Sequence, residues 1–174
     1  MLQLSKSFYD LSVLSLRTGD GIGTAIKPII NPNNLKVEGW YAIARGERNS
    51  YVLPTSEVRE IIAKGIVVND HSAFTHIEDM VRLEKVIRLQ FELAGKQVIT
   101  ETKRKLGKIN DYAVDSDSML IKKLYVTQSL LKNFSNEQLV IDRGDIVEIT
   151  NRFVKVRDGV VRERSRAFSF QPSA

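Results

Sequence analysis

IGTAIKPIINPNNLKVEGWYA, Ile22–Ala42, decides the fold of this chain, because its pattern returns without a gap as LGKINDYAVDSDSMLIKKLYV, Leu106–Val126, after a shift of 84 residues. Gly23 falls on Gly107 and Ile30 on Val114, while Leu35, Val37, Trp40 and Tyr41 fall on Met119, Ile121, Leu124 and Tyr125. The turn Asn31-Pro32-Asn33-Asn34 meets Asp115-Ser116-Asp117-Ser118. Only Gly23/Gly107 and Tyr41/Tyr125 are identities, so the match is one of apolar spacing and turn chemistry. It resumes at a shift of 88, with Val52 on Val140, Val58 on Ile146, Ile66 on Val154 and Val68 on Val156. Two copies of one small fold account for this periodicity.

Working outward, each copy reads as short β elements between turn signals. In the first, Val13–Leu16 passes through Thr18-Gly19-Asp20-Gly21 into Ile22–Ile30, and Leu35–Ala44 returns from the Asn-rich tip. Gly and Asn stand where a hairpin needs positive φ. Tyr51–Leu53 follows, ended by Pro54; then a one-turn helical corner at Ser56–Arg59 and a strand at Ile66–Val68. In the second copy the strands are Gln97–Thr100, Leu106–Val114, Met119–Thr127, Leu139–Ile141 and Phe153–Val156, with a loop at Gln128–Glu137 and a corner at Asp145-Ile146-Val147. Asp158-Gly159 signals a last turn, with Val160–Arg164 folding back as a strand. Five or six short strands in so small a unit point to a closed or nearly closed antiparallel barrel, since closure removes exposed edges. Between the copies, Thr75-His76-Ile77-Glu78 has the form of a capping box. Met80, Leu83, Ile87 and Phe91 recur at helical spacing, which predicts a helix of about three turns over 77–90. The expected organisation is a barrel-like domain at 5–75, a connecting helix at 76–91, a second such domain at 92–165 and a tail at 166–174.

Composition narrows the function classes. The chain has 174 residues, so each copy is near the size at which folding buries only about 60–65% of the unfolded surface, and the two should lean on each other. With 43% apolar and 27% charged residues it is an ordinary globular composition. No apolar run is long enough for a membrane span, and Met1–Lys6 lacks the apolar core of a secretory signal, so the expected location is the cytoplasm. There is no cysteine, which excludes disulfides, thiol catalysis and cysteine-based metal sites. The formal net charge is +5, and residues 91–174 hold 15 Lys and Arg against 11 Asp and Glu. The excess concentrates at Lys103, Arg104, Lys105 and Lys108, and again at Arg152, Lys155, Arg157, Arg162, Arg164 and Arg166. Such clusters suit phosphate backbone or acidic protein, or form a solvated turn and a charged tail; the first cluster has no aromatic interleaved with it.

Other candidate chemistry is weak. Gly19-Asp20-Gly21-Ile22-Gly23 precedes a β run rather than a helix, so it reads as a hairpin and not a phosphate loop. His71 and His76 are the only histidines; five residues apart they diverge on a helix and read as surface groups near a helix cap. Asp115-Ser116-Asp117-Ser118 opens like a calcium loop, but Leu120 and Val126 occupy the positions that need Gly and Glu. No catalytic, cofactor-binding or metal-binding set is assigned, and no cofactor is expected. Trp40 and Tyr41, adjacent on a strand, face opposite sides, one filling the core and the other reaching outward, or both are buried through a bulge at Gly39. Phe168 and Phe170 fold back on their own unit in the favoured reading.

The frame Leu93–Val98, Leu106–Asp115, Leu124-Tyr125-Val126, Ile141 and Asp145–Ile149 resembles the PRC-barrel domain family, with a weaker version around Gly23, Ile30 and Trp40-Tyr41. That family includes the C-terminal domain of the ribosome maturation factor RimM and the cytoplasmic domain of the photosynthetic reaction-centre H subunit. The resemblance implies two tandem small barrels that work by touching other macromolecules, and it carries no catalytic set. The chain departs from the H subunit in lacking a membrane helix, and from RimM in having two similar halves. The resulting expectation is a non-enzymatic binding or assembly module. Its partner would be a protein, or alternatively RNA or a ribosomal particle, with a homo-oligomer compatible. Lys103, Arg104, Lys105, Lys108, Arg162, Arg164 and Arg166 are the expected contact residues.

Overall fold

Alternating burial along short strands generates the architecture. In β2 (Leu11–Ser15), Leu11, Val13 and Ser15 are buried while Ser12 is exposed, the two-residue period of a strand with one face on a core. The computed structural model describes residues 1–127 and 138–160. The chain is mainly β, with thirteen strands and one α-helix among the described residues. It divides into two units: Met1–Glu92 with Ala113–Ile121, and Leu93–Tyr112 with the residues from Lys122 on.

Unit 1 contains β1 (Leu2–Leu4), β2, β3 (Gly21–Asn31), β4 (Lys36–Ala44), β5 (Ser50–Pro54), a 3-10 corner at Thr55–Glu57, β6 (Val58–Ile62) and β7 (Gly65–Val68). Its strands lie in the order β5-β4-β3-β2-β7-β6. The second copy supplies β8 (Gln97–Thr100), β9 (Lys105–Asp115), β10 (Leu120–Thr127), β11 (Gln138–Asp142), a 3-10 corner at Arg143–Asp145, β12 (Ile146–Ile149) and β13 (Phe153–Val156). Their order is β11-β10-β9-β8-β13-β12, the same path.

The registers agree residue by residue. Val13 pairs with Gly23 and with Ile66; Val98, its counterpart, pairs with Gly107 and with Val154. Each copy has a bulge immediately after that position and another between its last two strands. The only buried polar residues, among those described, are Ser15 and Thr100, which occupy equivalent strand ends. The duplication read from the sequence is therefore a duplication of ladders.

Two expectations need correction. The ladders do not close: β5 and β6 share no hydrogen-bonded register, nor do β11 and β12, among the described residues. Nor are they purely antiparallel, because β7 runs parallel to β2 and β13 parallel to β8. The corner and the following hairpin bring the last strand of each copy alongside the first in the same direction. The helix is also shorter than the spacing predicts. Thr75 exchanges both backbone hydrogen bonds with Val52, at 2.8 and 2.9 Å, which removes it from a capping box. A 3-10 turn at Ile77–Asp79 follows, and α1 begins only at Glu84, running to Leu89. The expected loop at Gln128–Glu137, all of the expected strand at Val160–Arg164 except Val160, and Phe168 and Phe170 lie outside the described residues.

The core of unit 1 centres on Trp40. Its ring is fully buried, stacks on Phe8 at 6.4 Å, and donates its indole N–H to the Phe8 carbonyl at 2.9 Å. Tyr41 points to the other sheet face, where it packs, as do Ile77, Met80 and Leu83, against the cluster of Ile29, Val52, Val86 and Ile87. The helical stripe thus covers β3–β5 of its own unit, and the Tyr41 hydroxyl donates to the Ile87 carbonyl. Gly39 lies so close to β5 that an added Cβ would sit 2.5 Å from the Leu53 carbonyl oxygen. In unit 2, Val98, Leu124, Val126, Ile141, Val154 and Val156 are all fully buried. Each such side chain contributes about 1.5–3 kcal/mol relative to exposure.

Candidate functional site

The turn between β8 and β9 is held from inside by Thr100. Its N–H donates to the Arg104 carbonyl at 2.9 Å, its hydroxyl accepts from the Arg104 N–H at 3.2 Å, and its carbonyl accepts from the Lys103 N–H at 2.9 Å. Thr102 shares a hydrogen bond with the Thr100 hydroxyl at 2.9 Å and donates its own hydroxyl to Asp158 at 2.8 Å. The backbone is thereby fixed, and Lys103, Arg104 and Lys105 are exposed on it.

Unit 1 makes the corresponding connection with a turn one residue longer. The Ser15 N–H donates to the Asp20 carbonyl at 2.9 Å and Gly19 N–H to the Ser15 carbonyl at 2.8 Å. Extending the 84-residue shift four positions before Ile22 sets Thr18-Gly19-Asp20-Gly21 on Thr102-Lys103-Arg104-Lys105. One net negative charge becomes three positive ones at the aligned positions. Gly19 has φ +77° and Lys103 φ +64°, so lysine occupies a left-handed position that glycine fills in the other copy.

The contrast continues across the sheet. On the outer face of unit 2, Glu148 is registered with Lys155, Lys155 with Ile99, and Ile99 with Lys105; beside that row stand Phe153, Gln97 and Lys108. The equivalent rows of unit 1 are Glu60, Val67, Leu14 and Gly21, and Gly65, Ser12 and Thr24. Three lysines and a phenylalanine thus stand where unit 1 has Gly21, Thr24, Val67 and Gly65. Phe153 is half-buried, with the Lys155 ammonium 5.8 Å from its ring centre.

Three other cations of this unit are engaged, Lys155 with Glu148, Lys123 with Asp142 at 3.1 Å, and Lys96 with the Asn151 carbonyl at 2.7 Å, while Lys122, Arg143, Arg152 and Arg157 form no ion pair among the described residues. Lys103, Arg104, Lys105 and Lys108 form no ion pair among the described residues. The structure therefore brings the four expected contact residues of the first cluster together. It also places beside them an aromatic that their sequence neighbourhood lacks. Arg162, Arg164 and Arg166 lie outside the described residues. Sequence reading does not single out Phe153; the signal is its alignment with Gly65 at the shift of 88.

A second cluster joins the turn after β4 to the segment after β7. Glu47 accepts from the Tyr51 hydroxyl and pairs with His71 Nε2 at 3.3 Å; Tyr51 packs on His76 at 4.8 Å and on Phe74 at 5.9 Å. The bond to Glu47 pushes the Tyr51 phenol above its ordinary pKa, with burial adding to it. These groups clasp two loops of unit 1. Among the described residues, no three histidine or carboxylate side chains converge as a metal site, and no helix is long and apolar enough to cross a membrane.

Comparison with protein-family models and with curated proteins gives no match.

Proposed function

We propose that this chain is a binding or assembly module of the tandem PRC-barrel type, working in the cytoplasm without chemistry of its own. It meets a negatively charged macromolecule through the β8–β9 turn and the adjoining outer face of unit 2. The observation that carries this reading is the difference between the copies: one strand path, a left-handed residue at the aligned place in the turn, and a change from Gly-Asp-Gly to Lys-Arg-Lys there. Lys103 sits at a left-handed position where the aligned residue of the first copy is glycine, so the fold alone gives no reason for a lysine there. Rigid presentation lowers the entropy lost on binding.

The test is site-specific photocrosslinking in the native cell from Lys108, comparing the wild-type chain with the variant K103G/R104D/K105G. That variant places the Gly-Asp-Gly of unit 1 at the aligned positions, with glycine at the left-handed one, and its circular dichroism is compared with that of the wild type. Crosslinks that vanish in the variant support the reading; an identical set of crosslinks overturns it.

A further inference from the structure

We infer that the partner recognised by unit 2 is single-stranded nucleic acid. The phosphodiester backbone would lie along Lys103, Arg104, Lys105 and Lys108, with one base stacked on Phe153. This inference rests on the reading just given and narrows it to one class of polyanion.

Charge alone would serve an acidic protein equally well, so the choice depends on what accompanies the charge. Lys105 and Lys108 lie on β9, and Phe153 is two strands away on β13, joined through Gln97 in a continuous register. Every one of these positions is on the outward face of one sheet. An open sheet bearing cations beside a part-exposed aromatic offers both things a single strand presents: a regular row of phosphates, and flat bases free to stack. Gln97, half-buried between Phe153 and Lys108, donates to the Gly107 carbonyl at 2.6 Å, so the floor between aromatic and cation is fixed. Unit 1 again supplies the contrast. Its Gly65 leaves no ring at the position of Phe153, and Gly21 and Thr24 leave no cations. An acidic protein surface would be met by the turn cations, with no use for an aromatic gained in step with them. Acidic groups near the turn reduce the patch without cancelling it: Glu148 is paired with Lys155, while Asp158, which accepts from the neutral Thr102 hydroxyl, and Glu101 keep their charges against the four cations.

The experiment uses the full chain and fluorescent 20-nucleotide probes of mixed-sequence RNA and DNA, single-stranded and duplex, with polyglutamate as competitor. Binding to single strands should weaken linearly in log–log form with salt, with a slope near −3 for about four contacted phosphates. In K103G/R104D/K105G the slope should shrink to about −1. Phe153→Leu should weaken binding about tenfold at unchanged slope, as expected for lost stacking rather than lost charge. Thermal unfolding of both variants, together with unchanged far-ultraviolet circular dichroism, separates a lost contact from a lost fold. Preference for RNA over DNA, or equal binding of both, fits the inference. Four results overturn it: no single-strand binding at about 50 mM salt, duplex bound as tightly as single strand, a slope indifferent to the turn, or displacement by polyglutamate at equal charge. If any of these is found while crosslinking still depends on the turn, the binding-module reading stands and only the nucleic-acid assignment falls.

Discussion

Lys103 has φ +64°, in a region where a side chain meets its own backbone and only glycine sits without strain. Unit 1 places Gly19 at the aligned left-handed position. Lys103→Gly should therefore stabilise the fold by about 0.5–1 kcal/mol, read as a higher urea midpoint at unchanged m-value. A destabilised variant would mean that the lysine side chain serves the fold, and the functional reading of the turn would lose its footing. Asp115 carries a second residue-scale prediction. Its carboxylate accepts from the Ser118 hydroxyl at 2.6 Å and from the Met1 ammonium at 3.0 Å. Chiefly through the Ser118 bond, and then through the ammonium, its pKa is lowered from 3.8 to about 2. A depressed carboxylate contributes stability that is fully present above its unfolded pKa and is lost as pH falls through the folded value. Stability should accordingly decline between about pH 4 and pH 2, and Asp115→Asn should flatten that part of the profile. Parallel acid profiles for the two proteins would show that Asp115 is not the group responsible.

Helix α1, only six residues long, is too short to hold itself together and depends on what it covers. Tyr41 reaches it from β4, donating to the Ile87 carbonyl, and burial raises the tyrosine pKa. Tyr41→Phe keeps the ring against the cluster of Ile29, Val52, Val86 and Ile87 and removes one bond. The expected cost is about 1 kcal/mol, concentrated in faster amide exchange across 84–89 with little change in β2 or β3. Uniform loss of protection across the unit would instead make the hydroxyl a support of the whole core. The apolar stripe of this helix was legible in the sequence, as were Gln97–Thr100 and Phe153–Val156 to the residue. Three strands escaped. β1 is too short for a period to register. β6 and β12 hold no fully buried side chain and are bulged against their partners, so the alternation that marks a half-buried strand is missing. The parallel pairs β2/β7 and β8/β13 were illegible for another reason. Periodicity reports which face is buried, not which neighbour supplies the hydrogen bonds. The basic turn was visible as charge, whereas Phe153 became part of a site only once the sheet set it beside Gln97 and Lys108.

At the scale of the molecule, the repeat does not cut where the sequence would cut it. Ala113–Ile121, the tip of the second hairpin, belongs to unit 1. There it pairs with β1 through Leu2–Asp115 to Leu4–Ala113. It also exchanges Val37 N–H to the Met119 carbonyl and Ile121 N–H to the Leu35 carbonyl, both 2.8 Å. Leu35 and Met119 are themselves equivalent, both left-handed, at φ +49° and +57°, so the two hairpin tips answer each other position for position. A fragment of residues 1–92 therefore lacks part of its own unit: β1 loses its ladder, and the backbone groups at Leu35 and Val37 lose their partners. Trp40, the single tryptophan, lies in the core of this unit, so its fluorescence reports unit 1 alone even in the intact chain. The Trp40 urea midpoint should be clearly lower in fragment 1–92 than in the full protein, by at least the value of several lost hydrogen bonds at about 1 kcal/mol each. A fragment of residues 1–127, which restores the tip, should recover most of the difference. If 1–92 unfolds at the same urea concentration as the full chain, the tip is an ornament on a self-sufficient unit. The duplication would then be a tandem of independent folds, with no segment shared across the boundary.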